Sequence, residues 1–306
     1  MYRRFFIKVV VFAILLVVLD GLCGVAFRKL EGLALIKSPY GMTTEYTMSV
    51  VNTDVVIIGS SETQHSYIPQ ILEDSLGFKV YNCGQDGCLF YYKNAVVHGI
   101  LDRYTPKVII WDITPNELST KNGDVDNSLS KLNPYYKQSS FMQNHIGVVS
   151  KYEKLKMISE CYTFNSRLFV YLYKIVMPDY AYQYGGYNPL SGSKKGLSIK
   201  ERSWEGEFDQ KKEDIFRKTI ERCKSSGVKL VFAFVPRLEI EDHNNLPSYK
   251  SIVLITKEYE IPLIEEFYHV DELMSPHFFK DNAHLNNEGA MIYSQMFSSR
   301  LKQIIK

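Results

Sequence analysis

The chain has 306 residues and carries 36 Lys and Arg against 34 Asp and Glu, a formal net charge of +2. That balance argues against a binder of nucleic-acid backbones, and 45% hydrophobic with 23% charged residues excludes a disordered or collagen-like chain. The aromatic content is lopsided, with 22 Tyr and 17 Phe beside 2 Trp.

Residues 5–27 are apolar apart from Lys8 and Asp20, most densely from Val9 to Leu19. About 20 apolar residues cross a bilayer as a helix, so this segment predicts one membrane span. Arg3, Arg4 and Lys8 precede it, which by the positive-inside tendency leaves the N-terminus in the cytoplasm. Arg28 and Lys29 on the far side weaken that asymmetry without reversing it. A cleaved signal peptide is the competing reading, but no A-x-A-like site follows Leu19, and Asp20-Gly21-Leu22 before Cys23 makes a poor lipoprotein signal. The expectation is a signal anchor over residues 1–29, a linker over 30–50 and an α/β domain over 51–306 on the far side of the cytoplasmic membrane. Cys23, Cys83, Cys88, Cys161 and Cys223 are odd in number and scattered, so they imply no disulfide framework. Cys83 and Cys88 are close enough to pair, with two half-buried thiols as the simpler alternative. Metal-ligand spacings of the C-x-x-C or H-E-x-x-H kind are absent from the sequence.

From residue 55 the pattern alternates. Val55 to Ile58 is a short apolar run stopped by Gly59, as a strand buried on both faces reads. Pro69 opens a helix whose apolar positions are Ile68, Ile71, Leu72 and Leu76, and Gly77 ends it. Residues 78–81 form a second strand, 89–104 a helix, and Val108 to Trp111 a third strand. The alternation resumes with an amphipathic helix at 209–226 and a strand from Val228 to Val235. A helix at 248–259, a short strand from Ile261 to Ile264 and a last helix from Asn287 to Ile304 complete it. Strands alternating with helices predict a mostly parallel sheet covered on both sides, a three-layer α/β/α sandwich. Residues 118–207 break the rhythm and read as an insertion, with a helical centre near 147–177 and the run Tyr182-Gln183-Tyr184-Gly185-Gly186-Tyr187. Those tyrosines could stack on sugar rings or pack within a lid.

In a parallel sheet, ligands bind at the carboxyl ends of the strands. Those ends read Gly59-Ser60-Ser61-Glu62, Asn82 to Gly87, Asp112 to Glu117 and Pro236-Arg237, with Asp281-Asn282-Ala283-His284 before the final helix. Ser61 follows a glycine that permits a sharp turn, but a free serine is a weak nucleophile and needs a base. Asp281 and His284 offer an orienter and a base in one turn. The backbone NH groups of Ser61 and Gly87 and the Asn116 amide could stabilise an oxyanion. His65, four residues after Ser61, and Arg237, at a strand end, are candidate substrate contacts. The simpler alternatives are helix caps for Ser61 and the Asp281–His284 pair, turn residues for Gly87 and Asn116, and structural or solvated side chains for His65 and Arg237.

At these positions the chain resembles the SGNH/GDSL hydrolase superfamily. Gly59-Ser60-Ser61 is similar to its Gly-Asp-Ser block, with Ser61 at the nucleophile. Asn82 to Gly87 is similar to the second block. Thr114-Pro115-Asn116-Glu117 is an altered Gly-x-Asn-Asp, and Asp281 and His284 match the final Asp-x-x-His, followed by Leu285, Asn286 and Gly289. The resemblance covers about residues 50–117 and 228–304 and implies a flavodoxin-like sandwich and a catalytic Ser61, His284 and Asp281. Ser61, Gly87 and Asn116 would form the oxyanion hole, and neither a metal nor an organic cofactor is needed. It implies a serine esterase acting on an acylated cell-envelope glycan or other ester. Two alternatives stay open: an O-acyltransferase to such a polysaccharide, served by an unidentified membrane-bound acyl donor, and an inactive binding or assembly protein on the same scaffold. The partners expected are the ester substrate and the membrane through residues 5–27, not nucleic acid.

Overall fold

Five short apolar runs pair side by side in the computed structural model, which describes residues 2–120, 127–178, 185–204 and 206–305. They are β1 (Val55–Ile58), β2 (Val80–Asn82), β3 (Val108–Asp112), β4 (Lys229–Ala233) and β5 (Leu263–Ile264). Their order is β2-β1-β3-β4-β5 and every pairing is parallel, with Ile57 opposite Asn82 on one side and Ile110 on the other. Successive side chains point to opposite faces, and the burial divides accordingly. Val56, Ile58, Ile109, Trp111 and Phe232 enter one core, and Val55, Ile57, Val108, Ile110 and Val231 the other.

The N-terminal helix α1 runs over Tyr2–Lys37, longer than the apolar segment that announced it, and is followed by α2 (Thr43–Ser49). It is long and apolar enough to cross a membrane. The linker expected over residues 30–50 is therefore a correction. Ala34 and Met42 are buried in a small core with Phe164 and Tyr171, and the Arg167 guanidinium grips the buried Glu45 carboxylate at 2.6 and 2.7 Å.

After β1 come α3 (Ser61–Ser66), α4 (Pro69–Leu76) and then, beyond β2, α5 (Phe90–Leu101). Pro69 stands at the first turn of α4 and Gly77 closes it in the left-handed conformation at φ 72°. The insertion is helical in short pieces rather than one centre: α6 (Ser140–His145), α7 (Glu153–Lys156), α8 (Glu160–Phe164) and α9 (Leu168–Val176). Ser139 and Ser159 cap α6 and α8 by accepting from the amides of Met142 and Tyr162, so the chain restarts its helices instead of continuing them. Tyr182, Gln183 and Tyr184 lie outside the described residues. Tyr187 is buried in the second core and donates to Asn287 Oδ1 at 3.0 Å, so it is not a sugar platform.

The chain returns to the sheet through α10 (Gln210–Ser225), α11 (Pro247–Glu258) and α12 (Asn287–Ile305). Val97 of α5, Phe216 and Ile220 of α10 and Ile252 of α11 pack on one face; Leu72 of α4 and Tyr293, Phe297 and Leu301 of α12 pack on the other. Each such fully buried side chain stabilises the fold by about 1.5–3 kcal/mol. The expected three-layer α/β/α sandwich with a parallel sheet is the architecture found. None of the five cysteines is in a disulfide, Cys83 and Cys88 included, and burial pushes the Cys83 thiol up to about 12.

Candidate active site

Gly59 permits the turn that leaves β1. A Cβ there would lie 1.6 Å from Thr63 Oγ1 and 3.1 Å from Asp112 Cβ, so only glycine lets α3 fold down beside β3. Ser61 thereby becomes the first residue of α3, at the carboxyl end of the sheet. Asn82 fixes α3 from the neighbouring strand. Its buried amide donates to the carbonyls of Thr63 and Tyr67 at 2.8 and 3.0 Å, and its oxygen accepts from Gly84 N at 2.9 Å.

The partner of Ser61 comes from the other end of the chain. Phe279 and Leu285 bridge, and Lys280 N donates to His284 O at 2.8 Å, so residues 280–284 form a closed loop just before α12. Asn286 holds that loop through His277 O at 2.6 Å and the Gly289 amide at 3.0 Å. The α12 helix is tied to the end of α3, because Ser294 Oγ accepts from Ile68 N at 2.9 Å and donates to Ser66 O at 3.0 Å. His284 Nε2 then lies 2.8 Å from Ser61 Oγ, and its Nδ1 lies 2.9 and 3.1 Å from the two oxygens of Asp281. Asp281 Oδ1 also accepts from the amides of Ala283 and His284 at 2.9 and 3.0 Å. Burial opposes ionisation of Asp281, but the Ala283 amide and the His284 imidazole and amide outweigh it and hold the carboxyl below its ordinary range. A carboxylate facing Nδ1 makes that nitrogen the donor, which leaves Nε2 as the acceptor for the Ser61 hydroxyl.

Ser61, Gly87 and Asn116 line one cavity of about 450 Å³. The Ser61 NH is the first of α3, without an acceptor inside the helix. Gly87 sits at φ 65° in the loop after β2, a conformation that favours glycine. Asn116 stands in a turn closed by Glu117 N donating to Thr114 O at 3.0 Å, and the Thr114 hydroxyl donates to Asn116 Oδ1 at 3.1 Å. With its oxygen so engaged, the amide presents its NH₂ as the remaining polar end. Glu117 steadies the turn by accepting from Thr114 N at 3.2 Å and pairing with Lys93 at 2.5 Å, both side chains being about 5% exposed or less.

Of the two expected substrate contacts, His65 is corrected and Arg237 is placed in the cavity with its charge already paired. His65 is buried, and its nitrogens face Asn188 O at 2.6 Å and an Asp86 carboxylate oxygen at 3.2 Å. Its ring meets His284 edge-on at 5.5 Å, so it walls the base rather than touching substrate. Arg237 does line the cavity, but its Nη1 pairs with Glu62 and its Nε donates to Glu239 at 2.8 Å. Two carboxylates already offset the charge that an anionic substrate would need. Arg202 joins the same Glu239 at 2.7 Å and lies 3.8 Å above the Trp204 ring, which also lines the cavity.

Lys93, Arg202 and Trp204 escaped the reading of strand ends, and Glu62 stood in it without a role. Lys93 left a signal, a lone cation within the apolar helix α5; Arg202 and Trp204 sit where only the folded chain brings them to Ser61. The insertion also contributes a strap. Asn82 N donates to Gly185 O and Asn188 N to Gln64 O, while Asn282 Nδ2 reaches Ser198 O, so residues 185–198 pass α3 and the His284 loop in turn.

No protein-family model and no curated protein matches this chain. Solved structures do, among them the lipase/acylhydrolase from Enterococcus faecalis, which is similar at 10% identity over 82% of this chain and 96% of that one, with a TM-score of 0.40. So remote a likeness leaves the chemistry to rest on the geometry of Ser61, His284 and Asp281.

Proposed function

We propose that this protein is a serine-dependent acyl hydrolase of the SGNH kind, anchored in a membrane by α1 with its catalytic domain on the outer side. The observation that carries the reading is the Ser61 Oγ–His284 Nε2 distance of 2.8 Å, continued from Nδ1 to Asp281 at 2.9 Å. Ser61 attacks the ester carbonyl while His284 takes its proton; His284 then protonates the leaving alcohol, and Asp281 holds the imidazole in register and offsets its charge. The Ser61 and Gly87 NH groups and the Asn116 amide stabilise the tetrahedral oxyanion. Water then attacks the acyl-Ser61 carbonyl, with His284 as base, and releases the acid.

The substrate class is an acylated cell-envelope glycan, in keeping with the anchor and the SGNH resemblance. Transfer of the acyl group to a glycan hydroxyl would use the same acyl-enzyme. Reach between Ser61 and His284 speaks against a scaffold that has lost catalysis.

The test uses the full chain in detergent. It should hydrolyse a chromogenic acetyl ester and take up a fluorophosphonate at Ser61, as located by peptide mass, and Ser61→Ala should remove both. Hydrolysis that survives Ser61→Ala sinks the proposal. Labelling at Ser61 with acyl transfer to an oligosaccharide but no hydrolysis would assign the transferase.

A further inference from the structure

We propose that α7, α8 and α9 form a membrane-docking face, seated in the lipid headgroup and upper acyl region where α1 leaves the bilayer. The inference rests on the reading of α1 as a membrane span. Three observations carry it.

Asp20 interrupts the apolar run of residues 5–27 just after its densest part, and it holds the insertion at that level. Its carboxylate accepts from Ser159 Oγ at 2.7 Å and from the amides of Glu160 and Cys161 at 2.7 and 3.0 Å. An aspartate within a membrane span is costly unless paired, and here three donors from one loop satisfy it. Gly24, one turn further, is packed so closely against Glu160 that a Cβ would lie 2.7 Å from its Cγ. The α7–α8 segment is thus fixed beside the point where α1 emerges.

That segment exposes what a soluble surface avoids. Leu155 is 67% exposed, Ile158 71%, Phe169 77% and Val176 75%, although α8 and α9 pack against α1. Single exposed apolar residues are ordinary, but several on adjoining short helices mark an interaction face. The inner face of α9 is already used, since Val170, Tyr171 and Ile175 pack with Phe27, Leu30 and Ala34 of α1.

The polar margin of the face suits a headgroup layer. Lys151 lies over the Tyr152 ring at 4.9 Å and Lys174 over Tyr173 at 5.6 Å, with both tyrosines more than half exposed. Lysine and tyrosine favour the interface because each has an apolar body and a polar tip. Basic side chains beside apolar ones point to anionic lipid as the occupant, in preference to a protein surface.

The test places the full chain in vesicles of phosphatidylcholine and phosphatidylglycerol whose acyl chains carry bromine, and compares tryptophan emission with that of the parent protein. Ile158→Trp and Phe169→Trp should each lose roughly half or more of their added emission, as should Leu15→Trp within α1, whereas Leu254→Trp, exposed on α11, should not. Quenching at Leu15→Trp alone keeps the anchor and overturns the docking face. Absence of quenching at Leu15→Trp overturns both. Emission at 158 and 169 that is shielded only at high protein-to-lipid ratio assigns the face to a second copy and overturns the lipid proposal.

Discussion

Asp281 and His284 meet twice, through the His284 backbone amide at 3.0 Å and through Nδ1 at 2.9 Å, both on the same carboxylate oxygen. The turn that sets the histidine's position is therefore built by the group that sets its tautomer. Asp281→Asn keeps an oxygen for the turn but loses the charge and the tautomer control. We expect kcat on an acetyl ester to fall by about 10³- to 10⁴-fold, with the thermal midpoint little changed. A fall below tenfold would show that Asp281 does not orient the base.

Asn116 is held by Thr114 and backed by Glu117, so its amide is set before substrate arrives. Asn116→Ala should lower kcat by about 10²- to 10³-fold and leave KM nearly unchanged, because the donor acts on charge that develops in the transition state. Steady-state kinetics that put the loss in KM instead would make Asn116 a ground-state substrate contact.

Asp112 supplies a pH signature. Burial pushes its carboxyl up to about 7, although the Thr63 hydroxyl and nearby Lys93 act the other way. With the folded value above the unfolded one, the native state holds the extra proton, so stability falls as pH rises between them. Denaturant unfolding should lose up to about 1.4 kcal/mol per pH unit from this group between roughly pH 4 and 7. Asp112→Asn should flatten that slope relative to the parent. A parallel slope in the variant would contradict the assignment.

Lys93 and Glu117 form a buried ion pair beside the cavity. Lys93→Met strands the carboxylate and should cost about 3–5 kcal/mol, whereas Lys93→Met with Glu117→Gln should recover most of it. Chemical denaturation of the two single variants and the double measures the coupling. Additive losses would mean that the two charges are solvated separately.

The sheet was legible because its strands are continuous apolar runs and its helices have clear stops such as Gly77, features that are local. Ser61, Asp281 and His284 were legible because strand ends concentrate chemistry, so a short list of segments contained them. What escaped depends on partners far away in sequence. Residues 30–50 read as a linker because Pro39, Gly41 and the polar residues Thr43 to Glu45 break any apolar period there; the mates of Ala34 and Met42, Phe164 and Tyr171, come more than a hundred residues later. His65 and Arg237 looked available for the same reason, since Asn188 and Glu62 reach them only in the fold. The broken helices of the insertion follow from serine caps and from contacts with α1, neither of which apolar spacing reveals.

The unbroken run of α1 from Tyr2 to Lys37 has a mechanical consequence. A flexible tether would let a catalytic domain wander over a hemisphere of surface. A helix rising about 1.5 Å per residue instead acts as a mast, and with residues 5–27 in a membrane as proposed, the stretch beyond Phe27 is about 15 Å tall. Braced by Ser159 at Asp20 and by the core around Ala34, it would hold Ser61 at a set height above the bilayer. An ester would then be selected by how far it stands from the membrane as well as by its chemistry.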